Sequence, residues 1–247
     1  MYVNAYFTPS SIVISETNRN DIYIIVDVIR ATTSMAVMFD RGAARVLVAG
    51  SIEQARQAAQ RVTGRLLCGE RNVQRIPGFD YGNSPVQYAQ LDLNGRELIM
   101  TTTNGTRAFY ACPEQASRLA GSFYNAGAVT AYALALAKTR QCDIHIVCSG
   151  ESDYFGLDDA VCAGYLALEL QRQQAGIQLW DSASAAIALY EAFKPPVVLD
   201  YCSAARAVIE GGLPDDPPFC MRTGVSDSVP VVVGREPETG LLVIERA

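Results

Sequence analysis

Ile22-Tyr23-Ile24-Ile25-Val26-Asp27-Val28-Ile29-Arg30-Ala31-Thr32-Thr33-Ser34 is the stretch on which the reading of this chain turns. Its first five residues are apolar and mostly β-branched, which predicts a strand buried on both faces, as in the interior of a parallel sheet. An aspartate closes that strand, and an arginine and three hydroxyls open the next segment. Downstream, Thr32 to Phe39 reads as a helix closed by Gly42, and Arg45 to Ala49 as a strand. Ser51 to Val62 reads as a helix with Ser51 as its N-cap, and Arg65 to Cys68 as another strand. This β-α-β-α-β order predicts a parallel sheet covered by helices.

The pattern continues with strands at Leu98 to Thr102, Ser117 to Gly121 and Asp143 to Cys148. Helices are expected from about Thr106, over Ala126 to Lys138, Asp158 to Gln173 and Ser182 to Phe193. Near the end, Val229 to Val233 and Leu241 to Ile244 flank Pro237-Glu238-Thr239-Gly240, the signature of a β-hairpin. The expected fold class is therefore α/β, with two layered units of mainly parallel sheet and a cleft between them. The expected division is residues 1–110, joined by the hairpin within 221–247, and residues 111–220.

The chain has 247 residues, 49% of them hydrophobic, and a net charge of −6. That suffices for a large core and argues against nucleic-acid or anionic-membrane partners, which require a positive surface. No apolar run approaches the roughly 20 residues of a membrane-spanning helix, and Met1 to Phe7 lacks a basic leader. Seven scattered cysteines without a C-x-x-C pair read as buried thiols, and a cytoplasmic location is expected. The single histidine, His145, falls mid-strand and reads as a packed residue. No G-x-S-x-G elbow, Walker A loop or G-x-G-x-x-G fingerprint occurs. Trp180 reads as a packing anchor.

Polar clusters fall past strands or in one long loop, where open α/β sheets build their sites. Asp27 can hold Mg²⁺ and Arg30 an oxyanion, or the two can simply cap a turn and a helix. Gly69-Glu70-Arg71 and Gly78-Phe79-Asp80-Tyr81-Gly82-Asn83-Ser84-Pro85 admit a plain structural reading as well as a functional one. Thr101-Thr102-Thr103-Asn104-Gly105-Thr106-Arg107 offers hydroxyls and amides to an oxyanion, or merely caps a helix. Asp158 and Asp159 complement a helix dipole, or complete a Mg²⁺ site. Taken together, the clusters describe an oxygen-rich site for a hard cation and an oxyanion.

In order and spacing these segments, with Cys148-Ser149-Gly150 and Phe155-Gly156-Leu157-Asp158-Asp159, resemble the signatures of the 2-phosphosulfolactate phosphatase family over roughly residues 1 to 235. The resemblance implies Mg²⁺-dependent hydrolysis of 2-phosphosulfolactate to sulfolactate and phosphate, a step in making coenzyme M. It implies catalytic roles for Asp27, Arg30, Glu70 and Asp159, and metal binding by Asp27, Glu70, Asp80, Asp158 and Asp159. Substrate binding is expected of Arg71, Asn83, Thr103, Asn104, Gly105 and Thr106. The expected partners are a small anionic phosphate ester and a second copy of the chain. Three departures stand out. Asp158 replaces the family's usual Glu, and Asn72 stands where many members carry glycine. Asp200-Tyr201-Cys202-Ser203-Ala204-Ala205-Arg206 lacks the histidine of the corresponding family stretch. They motivate two alternatives, another phosphorylated hydroxy acid as substrate or a non-catalytic anion-binding homologue.

Overall fold

The computed structural model describes residues 1–13 and 20–247. Strands β1 (Tyr2–Tyr6) and β2 (Ile22–Val26) are followed by α1 (Ala31–Asp40), β3 (Arg45–Val48) and α2 (Ile52–Arg61). Then come β4 (Leu66–Arg71), β5 (Gln74–Arg75), α3 (Pro85–Tyr88), β6 (Glu97–Thr101), α4 (Gly105–Ala111) and β7 (Ser117–Gly121). The chain continues through α5 (Ala126–Arg140), β8 (Ile144–Cys148), α6 (Leu157–Gln173), β9 (Gln178–Leu179) and α7 (Asp181–Ala192). It ends with α8 (Ser203–Glu210), α9 (Asp216–Cys220), β10 (Pro230–Arg235) and β11 (Leu242–Arg246).

The strands form one 11-stranded sheet in the order β5-β4-β6-β3-β11-β10-β7-β2-β8-β1-β9. β3, β6 and β4 are mutually parallel, as are β7, β2, β8, β1 and β9. The β10–β11 hairpin stands between the two sets and pairs antiparallel with β7 on one side and β3 on the other. Three antiparallel pairings in a row leave the two parallel sets running in opposite senses. In a flat sheet their carboxyl ends would lie on opposite edges. Over the seven pairings from β8 to β4, the usual increment of about 20–25° per pair accumulates to nearly half a turn. The twist therefore allows the carboxyl ends of both sets to face one space.

β2 is buried along its whole length, as its composition predicts. Ile22, Ile24 and Val26 face the core beneath α5, α6 and α7, whereas Tyr23 and Ile25 face the core beneath α1 and α4. Ser51 caps α2 through the Gln54 amide at 3.1 Å. The seven cysteines are buried and free. His145 stacks on Tyr23 at 4.9 Å and contacts the Asp21 carboxylate at 3.1 Å, in keeping with a packed role. Trp180 is 57% exposed, with its ring 5.9 Å from that of Tyr2, so it lies on the surface and is no core anchor. Among the described residues, no helix is long and apolar enough to cross a membrane.

One strand runs further than its apolar residues suggest. β4 extends through Gly69, Glu70 and Arg71 and turns back at Asn72 and Val73 to pair with β5. The turn requires positive φ at both residues, 50° at Asn72 and 71° at Val73. Asparagine is the non-glycine residue that tolerates this region best, which accounts for Asn72. Gly69 is needed where it stands, because a Cβ there would come within 2.0 Å of the Thr101 carbonyl oxygen.

Candidate active site

Immediately past β2, Asp27 folds over the start of α1. Its Oδ1 accepts the Ala31 N–H at 3.1 Å, and its backbone oxygen accepts the Thr32 N–H and hydroxyl at 3.0 Å each. The Asp27 carboxylate thus caps the turn into α1, the Thr32 and Thr33 hydroxyls donate to the Asp27 and Val28 carbonyls, and Asp27 Oδ2 faces the start of α4. The start of α4 packs on that oxygen. A Cβ at Gly105 would meet Asp27 Oδ2 at 2.6 Å and the Ala31 Cβ at 2.8 Å. Gly105→Ala is accordingly expected to displace the carboxylate and cut turnover by more than tenfold, with a melting temperature lowered by only a few degrees. Steady-state kinetics and a thermal melt read the two effects separately.

Past β8, the Asp159 carboxylate accepts the Val28 N–H at 2.9 Å and the Gly150 N–H at 3.0 Å, tying this loop to the one after β2. Asp158 stands beside it in the first turn of α6, 5% exposed. From the other parallel set, Glu70 accepts the Thr103 N–H at 2.8 Å, the Thr103 hydroxyl at 3.2 Å and the Val73 N–H at 3.0 Å. Arg30 is 3% exposed and donates to Asp216 and to the Val73 carbonyl, both at 2.9 Å.

These groups line one cavity of about 180 Å³. Of the twelve residues predicted from sequence, Asp27, Arg30, Glu70, Asn83, Thr103, Asn104, Asp158 and Asp159 are on its wall. Asn83 Oδ1 is buried there with no hydrogen-bond partner among the described residues, and Asn104 Oδ1 accepts the Ser152 N–H at 3.1 Å. The other four stand behind the wall or away from it. Asp80, expected as a metal ligand, is exposed, and its carboxylate accepts the Leu67 N–H at 2.8 Å. Arg71 points away, as strand alternation after Glu70 requires, and donates to its neighbour's carbonyl and to Thr101 Oγ1. The Thr106 hydroxyl donates to the Thr102 carbonyl at 3.0 Å, and Gly105 supplies close packing only.

The wall also contains residues that sequence reading missed. Ser203, Ala204, Ala207 and Val208 of α8 line it together with Ile29 and Val73. Ser203 and Ala204 belong to the stretch that departs from the family pattern, the one signal that could have pointed there, and Ala207 and Val208 follow it in α8. Asp216, behind Arg30, carries no motif of its own.

Electrostatically the cavity is one-sided. Asp27, Glu70, Glu151, Asp158 and Asp159 line it, with Arg30 as the one cationic side chain on the wall among the described residues. Burial, aided by the Glu70 charge and opposed by the Ala31 N–H and Arg30, pushes Asp27 up to about 6. Burial and then the Asp27 charge push Asp158 up to about 7. Asp159 is raised well above the carboxylate range, by burial and by the charges of Asp158 and Asp27. Four buried acids, Asp27, Glu70, Asp158 and Asp159, thus share the wall with one arginine. Among the described residues no three acidic, His or Cys side chains form a ready-made metal cage.

The family model described as 2-phosphosulpholactate phosphatase matches residues 6–235. A probable 2-phosphosulfolactate phosphatase of Thermus thermophilus is 37% identical over 229 residues, 92% of this chain and 93% of the relative. Another from Carboxydothermus hydrogenoformans is 33% identical over 245 residues, 99% of this chain and 98% of the relative. One from Thermotoga petrophila is 34% identical over 212 residues, 85% and 88% of the two chains.

Proposed function

This chain belongs to the 2-phosphosulpholactate phosphatase family, and from that premise we propose that it is a Mg²⁺-dependent phosphomonoesterase releasing phosphate from 2-phosphosulfolactate, in a coenzyme M type of pathway. The observation that carries the reading is the wall of four buried carboxylates, Asp27, Glu70, Asp158 and Asp159, beside Arg30, the one cationic side chain on it among the described residues.

Asp27 and Asp158 are the residues to hold the ion, since both carboxylates are open to the cavity and carry raised pKa values. Bound there, Mg²⁺ supplies positive charge that offsets the phosphoryl oxygens and acidifies water. Arg30 receives the phosphoryl group with its remaining N–H donors, and the unpartnered Asn83 amide oxygen faces the same space. Asp159 fixes the loops after β2 and β8 in register through its two backbone hydrogen bonds. Glu70 acts likewise on Thr103 and the β4–β5 turn. The expected result is phosphate release from 2-phosphosulfolactate that requires Mg²⁺ and stops in excess chelator. Activity undiminished by chelator would remove the metal from the scheme.

One observation favours a second substrate. The α8 side of the cavity is built from Ser203, Ala204, Ala207 and Val208 and, among the described residues, presents no cation to a sulfonate. A phosphorylated hydroxy acid lacking the sulfonate fits this wall. Side-by-side kcat/KM values for 2-phosphosulfolactate and 2-phospholactate decide, and a tenfold preference for the former discards the second substrate.

The raised carboxylates make a further prediction that needs no turnover. An aspartate whose ordinary pKa of 3.8 is raised to about 6 or 7 holds its proton in the folded state after the unfolded chain has released it. In the metal-free protein the contribution of these two aspartates to stability is thus fully present below about pH 4 and is lost as pH rises through 6 to 7, by roughly 3 kcal/mol for a two-unit shift. Mg²⁺ is expected to raise the melting temperature at pH 8 and scarcely at pH 5. An equal rise at both values would contradict the assignment.

A further inference from the structure

Arg30 reaches the cavity from a residue position that leaves little to chance. Its side chain is nine-tenths buried, and a guanidinium in that position needs its charge balanced and its plane fixed. Asp216 does both. The carboxylate, 2% exposed, accepts Arg30 Nη1 through Oδ2 at 2.9 Å and the Ser84 hydroxyl through Oδ1 at 2.6 Å. The Val73 carbonyl takes Nη2 at 2.9 Å, so both terminal nitrogens are anchored from behind. Of the five N–H donors of a guanidinium, three then have no protein partner among the described residues. Ser84 meanwhile caps α3 through the Gln87 amide and is the direct neighbour of Asn83, whose amide oxygen is buried and unpartnered on the cavity wall. One carboxylate, 186 residues from Arg30 in the chain, therefore holds Arg30 directly and reaches the neighbour of Asn83 through the Ser84 hydroxyl.

We propose that Asp216 is a positioning residue that aims Arg30, and through Ser84 the Asn83 amide, at an oxyanion of the phosphate class. The proposal rests on the phosphatase reading only in taking a phosphoryl group as the ligand, and it concerns a residue that touches neither substrate nor metal. It predicts that Asp216 and Arg30 act as one unit. Arg30→Lys and Asp216→Asn should each weaken inorganic phosphate binding about tenfold or more. The double variant should be little worse than either, because a lysine or an unaimed guanidinium already lacks the two-point geometry.

The decisive measurement is calorimetric titration of the full chain with inorganic phosphate in saturating Mg²⁺, coupled to chemical rescue. Added guanidinium is expected to restore phosphate affinity at least tenfold to Arg30→Ala, where Asp216 still offers a seat for it. No such restoration is expected in Arg30→Ala/Asp216→Asn. Rescue that survives loss of Asp216, absence of rescue with Asp216 intact, or additive losses in the Arg30→Lys/Asp216→Asn pair would each overturn the proposal. Should Asp216→Asn fail to fold, Ser84→Ala takes its place in the same cycle. A loss of phosphate affinity below twofold in that variant would count against the proposal, and a larger one would support it. Phosphate bound tightly by a protein that hydrolyses no ester would defeat the phosphatase reading and leave this one standing.

Discussion

Asp27→Asn is expected to lower kcat for phosphate release by on the order of 10³-fold while leaving the folded protein as stable as the wild type, or more so, at pH 8. The substitution is nearly isosteric. An asparagine oxygen still accepts the Ala31 N–H, and the packing of Gly105 on the side chain is kept. What disappears is the charge. Burial has already raised the Asp27 pKa to about 6, so ionising it costs the metal-free fold free energy, and removing it relieves Asp158 and Asp159 as well. Asp159→Asn makes the informative contrast. Both Asp159 oxygens accept backbone N–H groups, whereas an amide offers one acceptor and turns an NH₂ toward the other donor. That variant should lose both activity and stability, the latter by about 1–3 kcal/mol. Kinetics at saturating Mg²⁺ together with urea denaturation separate the two. An Asp27→Asn enzyme within tenfold of wild-type kcat would remove Asp27 from the chemistry.

The parts of the site that were legible in the sequence are those written locally. Asp27, Asp158 and Asp159 follow buried strands, and the position past a strand is itself the signal. β1 was equally legible and overlooked, since Val3 and Ala5 alternate inward against Tyr2, Asn4 and Tyr6. Asp80 and Arg71 misled for a physical reason. Both sit in motif-like segments, yet a hydrogen bond to Leu67 uses the first and strand alternation turns the second outward. Asp216 was beyond reach of local pattern, since only its long-range ion pair to Arg30 brings it to the cavity. The start of α8 stood out only as a departure from the family pattern, and its packing is what places it on the wall. The meeting of two opposed parallel sets was also hidden, because it depends on the hairpin between them and on accumulated twist.

Gly164→Ala is expected to be a severely destabilising single-methyl change. Gly164 lies in α6, a turn beyond the two aspartates, where that helix presses against α7. A Cβ at this position would stand 2.0 Å from the Ala186 carbonyl oxygen, 2.5 Å from its carbon and 2.9 Å from the Ile187 nitrogen. All three are backbone atoms, so no rotamer change relieves the overlap, and α7 must move off α6 by more than an ångström. Helix propensity favours alanine over glycine by about 1 kcal/mol. Opposing it is overpacking of a buried helix pair, at roughly 3–5 kcal/mol once the contacts around Ala183 and Ala186 open. The second effect wins, and a fall in melting temperature of about 10 °C is expected. Gly127→Ala supplies the opposite sign from the same substitution. Gly127 is an exposed residue within α5 with open space where the methyl would go, so propensity acts alone there. That variant should gain about 0.5–1 kcal/mol. Urea midpoints of the two variants moving in the same direction would show that close backbone contact between α6 and α7 does not govern the outcome at Gly164.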